Sequence, residues 1–512
     1  MKTKALVVAV LAAALAGTTT ADENEGQQGE RSKPRLVVTK GTVLWNATVV
    51  DTRDGSLERH QVIVIDEGRI QKIARINAIH VEVRGSAREI NASGKFVVPG
   101  YLDMHAHAMD SADRQPSFWP LFIANGITGF RQMSGGTAVI QRAQKLNADS
   151  AAGLVDAPEV LGVPGDLLAG PFPPAVGVEL IRQQKAAGAT FAKIISVRPD
   201  TLFAILGMPK AEGLDVAGHL MPSVSAVESS NRGWRSIEHL GAGYGIALDC
   251  ADDATVRQEI LKLPPTPLSP TGVISPYVTR GPEAPLYQRV ISSHSATKCQ
   301  AVAETLSRNG TWQALTMIRL RTMLNSDDPL FRSDPNLRYV EPTLRALWEQ
   351  LAQQYVANVP ATAAVTFRQY YDLQRNMARL LNRNGVPMLA GSDVGGIWVI
   401  PGFSLHQEFR EMADAGFSPL EILQATTLNG ARFLGREATM GTVEEGKNAD
   451  LVLLDRDPTR DSRHLDTISA VILKGKYFSK HALEKMKSDV AGAYAGPAKA
   501  DLSTAIDKHH VH

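Results

Sequence analysis

The stretch that decides the fold is Val97-Val98-Pro99-Gly100-Tyr101-Leu102-Asp103-Met104-His105-Ala106-His107. An apolar run meets a Pro-Gly break, a second short apolar run follows, and two histidines then stand two residues apart. On an extended strand, side chains at i and i+2 point to the same side, so His105 and His107 can direct their imidazoles at one point. The pair is a candidate for two ligands of one metal ion, although two polar residues that alternate at a strand end would give the same pattern.

Short β-rich runs precede this stretch and recur near the end of the chain. Two runs at 61–65 and 69–73 flank the turn Asp66-Glu67-Gly68, which predicts a hairpin. Further apolar runs lie at 451–454 and 468–473. Two β-rich pieces that bracket a long middle segment predict one discontinuous β-sandwich domain, built from residues 22–98 and 437–480.

The middle segment, residues 99–436, alternates short apolar strands with helical stretches. This alternation predicts an α/β fold with a parallel sheet, for which a closed (β/α)8 barrel of the TIM type is the economical solution. Residues of about 245–335 fit this pattern poorly and include a Pro/Ser-rich run at 263–270. We predict an insertion over the mouth of the barrel there, because connections of that length are commonly functional lids or disordered segments.

The first residues predict export. Lys2 and Lys4 form a basic start, residues 5–16 are apolar, and Thr19-Thr20-Ala21 is a small-residue cleavage site. The apolar run is shorter than the roughly 20 residues that span a bilayer. We therefore expect a signal peptide at 1–21 and a soluble product that is periplasmic or secreted, and a solvated tail at 481–512.

Composition excludes some partners. The 512 residues carry 54 Lys+Arg against 53 Asp+Glu, and neither sign accumulates in a long run, so nothing points to a nucleic-acid or membrane partner. There are two cysteines, Cys250 and Cys299. A disulfide in an oxidising compartment and two buried free thiols both remain open.

Four further residues end or interrupt apolar, strand-like runs in the middle segment: Lys193, His219, His239 and Asp393. In a barrel, the carboxyl ends of the strands converge on one mouth, so these residues can join the histidine pair. Four imidazoles, a carboxylate and a lysine suit a divalent metal such as zinc. Singly, each of the four has a simpler explanation, such as a salt bridge, a hydrogen bond or a helix cap.

Together these residues and their surroundings resemble the amidohydrolase superfamily, in its binuclear imidazolonepropionase/prolidase-like branch. Residues 94–107 are similar to the strand-one motif, Ser236-Ile237-Glu238-His239 to strand six and Ala390-Gly391-Ser392-Asp393 to strand eight. Glu341-Pro342-Thr343-Leu344 resembles strand seven, and 419–431 with 441–450 resemble the closing helix and the return to the β domain. One departure is Phe130-Arg131-Gln132, where the family often has Val-Arg-Asp.

The resemblance implies a binuclear metal-dependent hydrolase in which two divalent ions, most simply zinc, share a hydroxide. Its ligand set would be His105, His107 and Asp393 on one metal, His219 and His239 on the other, and Lys193 bridging both as a carbamate formed with CO₂. The hydroxide would attack the scissile carbonyl, while Asp393 takes the proton and passes it to the leaving group.

The expected substrate is a small amide with a free carboxylate on the leaving amino acid, such as an X-Pro dipeptide or another N-acyl amino acid. Tyr244 and Arg131 are candidates to contact its carbonyl or carboxylate, with packing or ion pairing as the simpler alternative. Competing hypotheses are a lactonase, ester or phosphotriester hydrolase on the same metals, a mononuclear deaminase-type ring hydrolase, and a binding protein that has lost its metals. Such ring hydrolases lack the bridging lysine, so Lys193 speaks against them. The sequence does not decide whether the chain forms a homo-oligomer.

Overall fold

A computed structural model describes residues 33–110, 115–264 and 269–495. The predicted signal peptide at 1–21 lies outside the described residues. The prediction of a solvated tail at 481–512 is wrong for residues 481–493, which belong to a helix that buries Leu483 and Val490; residues 496–512 lie outside the described residues. Within the described ranges the strands are β1 (Arg35–Val38), β2 (Thr42–Val50), β3 (Leu57–Asp66), β4 (Arg69–Arg75), β5 (His80–Val83), β6 (Arg88–Asn91), β7 (Phe96–Pro99), β8 (Tyr101–Ala106), β9 (Ile127–Gln132), β10 (Glu159–Gly162), β11 (Leu168–Gly170), β12 (Ala192–Val197), β13 (Val216–Gly218), β14 (Ser236–Glu238), β15 (Trp312–Ala314), β16 (Met388–Leu389), β17 (Leu451–Leu454), β18 (Ile468–Leu473) and β19 (Lys476–Ser479).

The helices alternate with the strands of the middle segment and also fill two long connections, after β14 and after β15. They are α1 (Gln115–Ala124), α2 (Thr137–Ala151), α3 (Pro174–Ala186), α4 (Pro199–Leu206), α5 (Ala226–Asn231), α6 (Val256–Ile260), α7 (Pro270–Ile274), α8 (Ala284–Ser292), α9 (Ala296–Asn309), α10 (Met317–Leu324), α11 (Pro329–Arg332), α12 (Pro342–Asn358), α13 (Ala361–Arg383), α14 (Phe403–Asp414), α15 (Pro419–Ala425), α16 (Leu428–Phe433) and α17 (Lys480–Ala493).

Strands from both ends of the chain share one eight-stranded sheet, which we call the terminal sheet. Its order is β19-β18-β17-β7-β2-β3-β4, with β6 paired to β2. The predicted hairpin is confirmed, since Asp66 pairs with Arg69 across a turn in which Glu67 and Gly68 both have positive φ. Such a turn matches the right-handed twist of the flanking strands. The strand β17 pairs antiparallel with β7, so the two ends of the chain meet in the middle of the sheet.

The terminal sheet agrees in part with the predicted sandwich. Ile63, Leu451 and Ile472 belong to a core cluster within this part of the chain, whereas Val98 and Val452 belong to the large core of the middle segment. The middle segment thus contributes to covering the terminal sheet. The second β layer is the small parallel pair β1-β5, whose side chains pack near β2 and β3.

The middle segment contains two parallel sheets, β10-β9-β8 and β11-β12-β13-β14-β15-β16. Their edges are joined by backbone hydrogen bonds: Met104 N donates to Ala390 O (2.9 Å), and Thr190 N donates to Val163 O (2.9 Å). Isolated parallel bridges lie at the same two junctions. Because every pairing in these sheets is parallel, the residues that follow the strands lie at one end of the molecule.

Two sequence assignments between 245 and 344 need correction. The predicted insertion at about 245–335 contains the strand β15, so the inserted helices α6 to α9 end before Trp312. The motif assigned to strand seven starts the helix α12 instead, because Glu341 caps the Thr343 amide and Pro342 occupies the first turn. A three-residue strand such as β15 carries too little periodicity to be recognised.

The inserted region carries the two cysteines, Cys250 before α6 and Cys299 on α9. Cys250 and Cys299 form a disulfide, which joins the start of this region to α9 across 49 residues. This settles the alternative that the sequence left open in favour of the disulfide. Among the described residues, no helix combines the length and apolar character needed to cross a membrane.

Candidate metal centre

The structure places the six predicted ligand residues on or directly after parallel strands. His105 lies on β8, and His107 follows it. Lys193 lies on β12, and His219 and His239 follow β13 and β14. Asp393 comes four residues after β16. Five of the six line one cavity, and His105, which is fully buried, lies next to it.

Short distances join these side chains. The Nε2 atoms of His105 and His107 each lie 3.3 Å from Asp393 Oδ1, and His239 Nε2 lies 3.9 Å from Asp393 Oδ2. The ring of His239 is 4.4 Å from that of His105 and 5.2 Å from that of His219. Lys193 reaches the same cavity from β12, which pairs with β13. The structure therefore brings the predicted set together at one place.

The backbone at two of these residues is unusual. His239 and Asp393 have φ values of 57° and 55°, and Leu240, which follows His239, has 52°. These lie in the left-handed region, where non-glycine residues are uncommon and where strain at functional sites concentrates. Asp393 N donates to His105 O (2.7 Å), which fixes the turn that points the carboxylate at the histidines.

Three of the four histidines have a polar partner at Nδ1, the ring nitrogen on the side away from Asp393. His105 Nδ1 lies 2.6 Å from Glu238 Oε2, His107 Nδ1 lies 3.1 Å from Asp110 Oδ2, and His239 Nδ1 contacts the Thr316 hydroxyl. A carboxylate on Nδ1 makes that nitrogen the donor and leaves Nε2 with a lone pair. His105 Nε2 can therefore direct its lone pair towards Asp393, which suits metal ligation. Burial lowers the pKa of His107, but the Asp110 and Asp393 carboxylates outweigh burial and raise that pKa to about 9, so a metal ion would have to displace a proton from this imidazole.

Glu238 is the most deeply embedded of these partners. Its side chain is fully buried and also accepts from Arg131 Nη2 at 2.8 and 2.9 Å. Burial alone would raise the pKa of Glu238, but Arg131 and His105 outweigh it and hold the pKa well below its usual range. The carboxylate is thus ionised and accepts a hydrogen bond from His105 Nδ1.

Arg131 has a different position from the one predicted. It is 1% exposed and does not line the cavity; its Nε donates to Met104 O (2.7 Å), and its guanidinium packs against the rings of Phe191 and Phe433. The simpler alternative, ion pairing, therefore applies to Arg131, because its guanidinium is paired with the Glu238 carboxylate. Tyr244 does line the cavity, but its hydroxyl donates to Glu283 (3.0 Å) and its ring stacks on Tyr287.

Sequence reasoning missed several supporting residues, including Asp110, Glu238, Thr316 and Arg319. Glu238 had a readable signal, namely an acidic residue inside an apolar strand directly before a candidate ligand. Asp110 explains the departure at Gln132: the Gln132 amide donates to Asp110 Oδ1 (2.6 Å), and Asp110 supplies a carboxylate to His107. Thr316 and Arg319 contact the site from the chain after β15, a strand that the sequence did not reveal.

Burial sets the protonation of the remaining ligand candidates. It lowers the pKa of Lys193 to about 8, even though Glu238 and Asp393 raise it. It also holds the pKa values of His219 and His239 well below their usual range. Neutral imidazoles and a readily deprotonated amine are the forms that bind or bridge metals.

The donor set fits a metal centre. Among the described residues, Lys193 Nζ and His105 Nε2 are buried without a hydrogen-bond partner, and such atoms in a native protein call for an explanation. Ligand atoms of His105, His239 and Asp393 all lie within 4.8 Å of one another. Imidazole and carboxylate donors suit zinc and similar divalent ions.

The cavity above these residues has a volume of about 940 Å³. Its walls include apolar side chains from the middle segment, among them Phe118, Met133 and Trp348. The inserted helices and their connections add Ile260, Ile274 and other residues. A largely apolar chamber with convergent polar groups at one end is typical of a small-molecule site.

A parallel α/β fold with buried histidines, an aspartate and a lysine at the carboxyl ends of its strands is an arrangement typical of metal-dependent hydrolases. Comparison with known proteins agrees with this class. The model of the amidohydrolase family matches residues 339–478. A dihydroorotase from Pelotomaculum thermopropionicum is 26% identical over 428 residues, which cover 80% of this chain and 88% of that protein.

Two solved structures share the fold over most of their length. Bottromycin amidohydrolase aligns with a TM-score of 0.67 at 17% identity, covering 92% of this chain and 93% of the other. A Xaa-Pro dipeptidase with bound methionine aligns with a TM-score of 0.56 at 17% identity, covering 86% and 100%. These comparisons show similarity to the amidohydrolase family over residues 339–478 and a fold shared with both solved structures, in line with the resemblance that the motifs carry.

Proposed function

We propose that this chain is a binuclear metal-dependent amidohydrolase that cleaves the amide bond of an N-acyl amino acid or a dipeptide. The observation that carries the proposal is Lys193. Its amine is buried, lacks a hydrogen-bond partner among the described residues and shares a cavity with His219, His239 and Asp393. The mononuclear ring hydrolases of the competing hypothesis lack a bridging lysine, so Lys193 favours a binuclear site.

His105, His107 and Asp393 would hold one metal ion, His219 and His239 the other, and Lys193 would bridge the two. When bound, divalent ions such as zinc would polarise the scissile carbonyl and lower the pKa of water. An ammonium cannot be a ligand, so Lys193 must lose its proton first, and its lowered pKa favours that form. The neutral amine would then add to CO₂ and lose a second proton, which would give a carbamate anion able to help hold the metal ions.

Asp393 is the group placed to move a proton. Its Oδ1 faces His105 and His107, while its Oδ2 lies near Arg319 and the cavity. We assign it to accept the proton of the attacking water and to deliver it to the leaving nitrogen. Asp393→Asn should abolish turnover and leave most of the bound metal in place.

The fold proposal follows from the edge contacts of the two parallel sheets. The hydrogen bonds Met104–Ala390 and Thr190–Val163 support one closed (β/α)8 barrel, made of β8, β9, β10, β12, β13, β14, β15 and β16. The terminal sheet would form a separate small domain, built from both ends of the chain. In that architecture the candidate metal centre occupies the carboxyl-end mouth, where barrel enzymes keep their active sites.

The cavity favours a substrate with a bulky apolar part. A volume of about 940 Å³ lies near the top of the range for small-molecule sites and exceeds what one dipeptide fills. The shared fold of a Xaa-Pro dipeptidase and of bottromycin amidohydrolase supports an amide bond next to an amino acid. Lactones and phosphotriesters are the alternatives to test on the same centre.

The test is a substrate panel. The protein is loaded with zinc in bicarbonate buffer and assayed on X-Pro dipeptides and on N-acyl amino acids with small and bulky acyl groups. Lactones and phosphotriesters run alongside. Release of a free amino acid by the wild type, with none from Asp393→Asn, is expected. Hydrolysis confined to lactones or phosphotriesters, or binding of fewer than one metal equivalent, would contradict the proposal.

Export also remains a proposal. The disulfide between Cys250 and Cys299 supports an oxidising compartment, where such bonds persist. Expression of the full chain in a Gram-negative host, followed by fractionation and amino-terminal sequencing, should place the mature protein in the periplasm with Asp22 as its first residue. Retention of Met1 in a cytoplasmic fraction would overturn this expectation.

A further inference from the structure

Arg319 is a buried cation beside the candidate metal centre that the proposed mechanism does not use. It lies on α10 and is 4% exposed. Its Nε is 3.1 Å from Asp393 Oδ2, and its Nη2 donates to Val273 O (2.7 Å) in α7. Two contacts on different nitrogens fix the plane of the guanidinium.

The third nitrogen of the Arg319 guanidinium, Nη1, takes part in neither of these contacts. Arg319 Nη1 is buried and has no hydrogen-bond partner among the described residues, and Arg319 lines the cavity together with Asp393. Gly396 makes room for the group, because a Cβ on that residue would lie 2.5 Å from Arg319 Cζ and 2.6 Å from Nη1. An unpaired buried guanidinium nitrogen is costly, so its retention points to a ligand that completes it.

We propose that Arg319 Nη1 binds the carboxylate of the leaving amino acid, and so selects N-acyl amino acids over other amides. The inference rests on the proposed function, in which Asp393 protonates the leaving nitrogen. In an α-amino acid the carboxylate carbon is two bonds from that nitrogen, so its oxygens lie only about 3–4 Å away. A donor that reads the carboxylate must therefore lie beside Asp393, as Arg319 does. Arginine suits this task because its planar fork matches carboxylate geometry.

Arg142 is the competing cation. It also lines the cavity, and its Nη2 donates to Met109 O (3.1 Å). No contact between Arg142 and the ligand candidates is present within the described part of the chain. Arg142 would bind an anionic group of the substrate that lies farther from the scissile bond. A carboxylate next to the scissile bond requires a donor in contact with Asp393.

The first experiment needs no variant and no turnover. Binding of L-phenylalanine and of L-phenylalaninamide to the zinc-loaded wild type is measured by calorimetry. The free carboxylate should improve binding about 10- to 100-fold, which is the range for a hydrogen bond to a charged group. Equal binding of the two compounds would overturn the inference, whatever the outcome of the substrate panel.

Variants then assign the effect to Arg319. Arg319→Gln should abolish the preference for the carboxylate, and Arg319→Lys should keep part of it, because the charge remains without the fork. The matched control is Arg321→Gln on the same helix, since Arg321 pairs with Glu411 (2.6 Å) and does not line the cavity. Circular dichroism and zinc content verify that each variant is folded and loaded.

The outcomes separate the alternatives. With N-benzoyl-L-phenylalanine and its carboxamide as substrates, a rise in KM for the carboxylate alone in Arg319→Gln supports the inference. An equal fall of kcat for both compounds would mean that Arg319 only positions Asp393, and would overturn it. Loss of the preference in Arg142→Gln but not in Arg319→Gln would overturn it as well. If neither substrate is cleaved by the wild type, the proposed function fails while the binding experiment still decides the inference.

Discussion

Glu238 offers the sharpest test of how the site is supported. The change is Glu238→Gln, which keeps the size of the side chain but removes its charge. An amide has one acceptor oxygen where the carboxylate has two, so its NH₂ group must face a hydrogen-bond donor, either Arg131 Nη2 or His105 Nδ1. If the Gln oxygen stays with Arg131, its NH₂ group faces His105 Nδ1 and forces the imidazole proton onto Nε2, the nitrogen that lies 3.3 Å from Asp393.

Two magnitudes follow from the structure. Arg131 and Glu238 are 1% and 0% exposed, and removing one partner of a buried pair costs about 3–5 kcal/mol of unfolding free energy. Loss of the carboxylate behind a metal-binding histidine costs about 10- to 100-fold in metal affinity. The assays are denaturant titration for the first quantity and competition with a zinc chelator for the second.

The matched control is Glu228→Gln. Glu228 also pairs with an arginine, Arg232, at 3.0 Å, but both side chains are nearly half exposed, so the change should cost at most about 0.5 kcal/mol. The double variant Glu238→Gln/Arg131→Met should lose less stability than the sum of its single changes, because no buried charge is left unpaired. Additive losses, or unchanged zinc affinity in Glu238→Gln, would refute the reasoning.

Three further changes test separate parts of the molecule. Lys193→Ala should lower the bound zinc from two equivalents towards one. Added acetate should restore activity to this variant, because its carboxylate replaces the carbamate. A metal analysis that still finds two equivalents would contradict the bridging role of Lys193. Reduction of the Cys250–Cys299 disulfide should cost about 4 kcal/mol of unfolding free energy for a 49-residue loop, measured by denaturant titration with and without reductant, with the Cys250→Ser/Cys299→Ser variant insensitive to it. Burial raises the pKa of Glu408 to about 8 from 4.5, so between these two pH values the folded state holds a proton that the unfolded state has lost. The free energy of unfolding should therefore fall by about 1.4 kcal/mol per pH unit as the pH rises through that range. Denaturant titrations across that range should show a flatter curve for Glu408→Gln; parallel curves would exclude the assignment.

Much of the site was readable from local pattern. Each predicted ligand directly ends or follows an apolar run, and the side-chain period of a strand put His105 and His107 on one side without any knowledge of the fold. The hairpin around Glu67-Gly68 was equally local. These features depend on neighbours in sequence, which a single chain displays.

The missing parts depend on distant contacts. Arg131 looked like a substrate contact because a cation near a candidate site is ambiguous until its partner is known, and Glu238 is 107 residues away. Thr316 and Arg319 were invisible because β15, which delivers them, is three residues long. Likewise, the middle segment covers the terminal sheet together with the small pair β1-β5, whereas the strand pattern predicted two β layers without this contribution.

The meeting of the two chain ends in the terminal sheet has a consequence for biogenesis. Until Leu451–Leu454 is available, β7 lacks its neighbour and presents a row of unsatisfied amides and carbonyls next to the first histidine strand. A chain released early would expose this edge, which is a template for self-association. Folding of the terminal sheet must therefore wait until the last strands have been synthesised. A chaperone that protects the nascent amino-terminal half should raise the yield of folded protein.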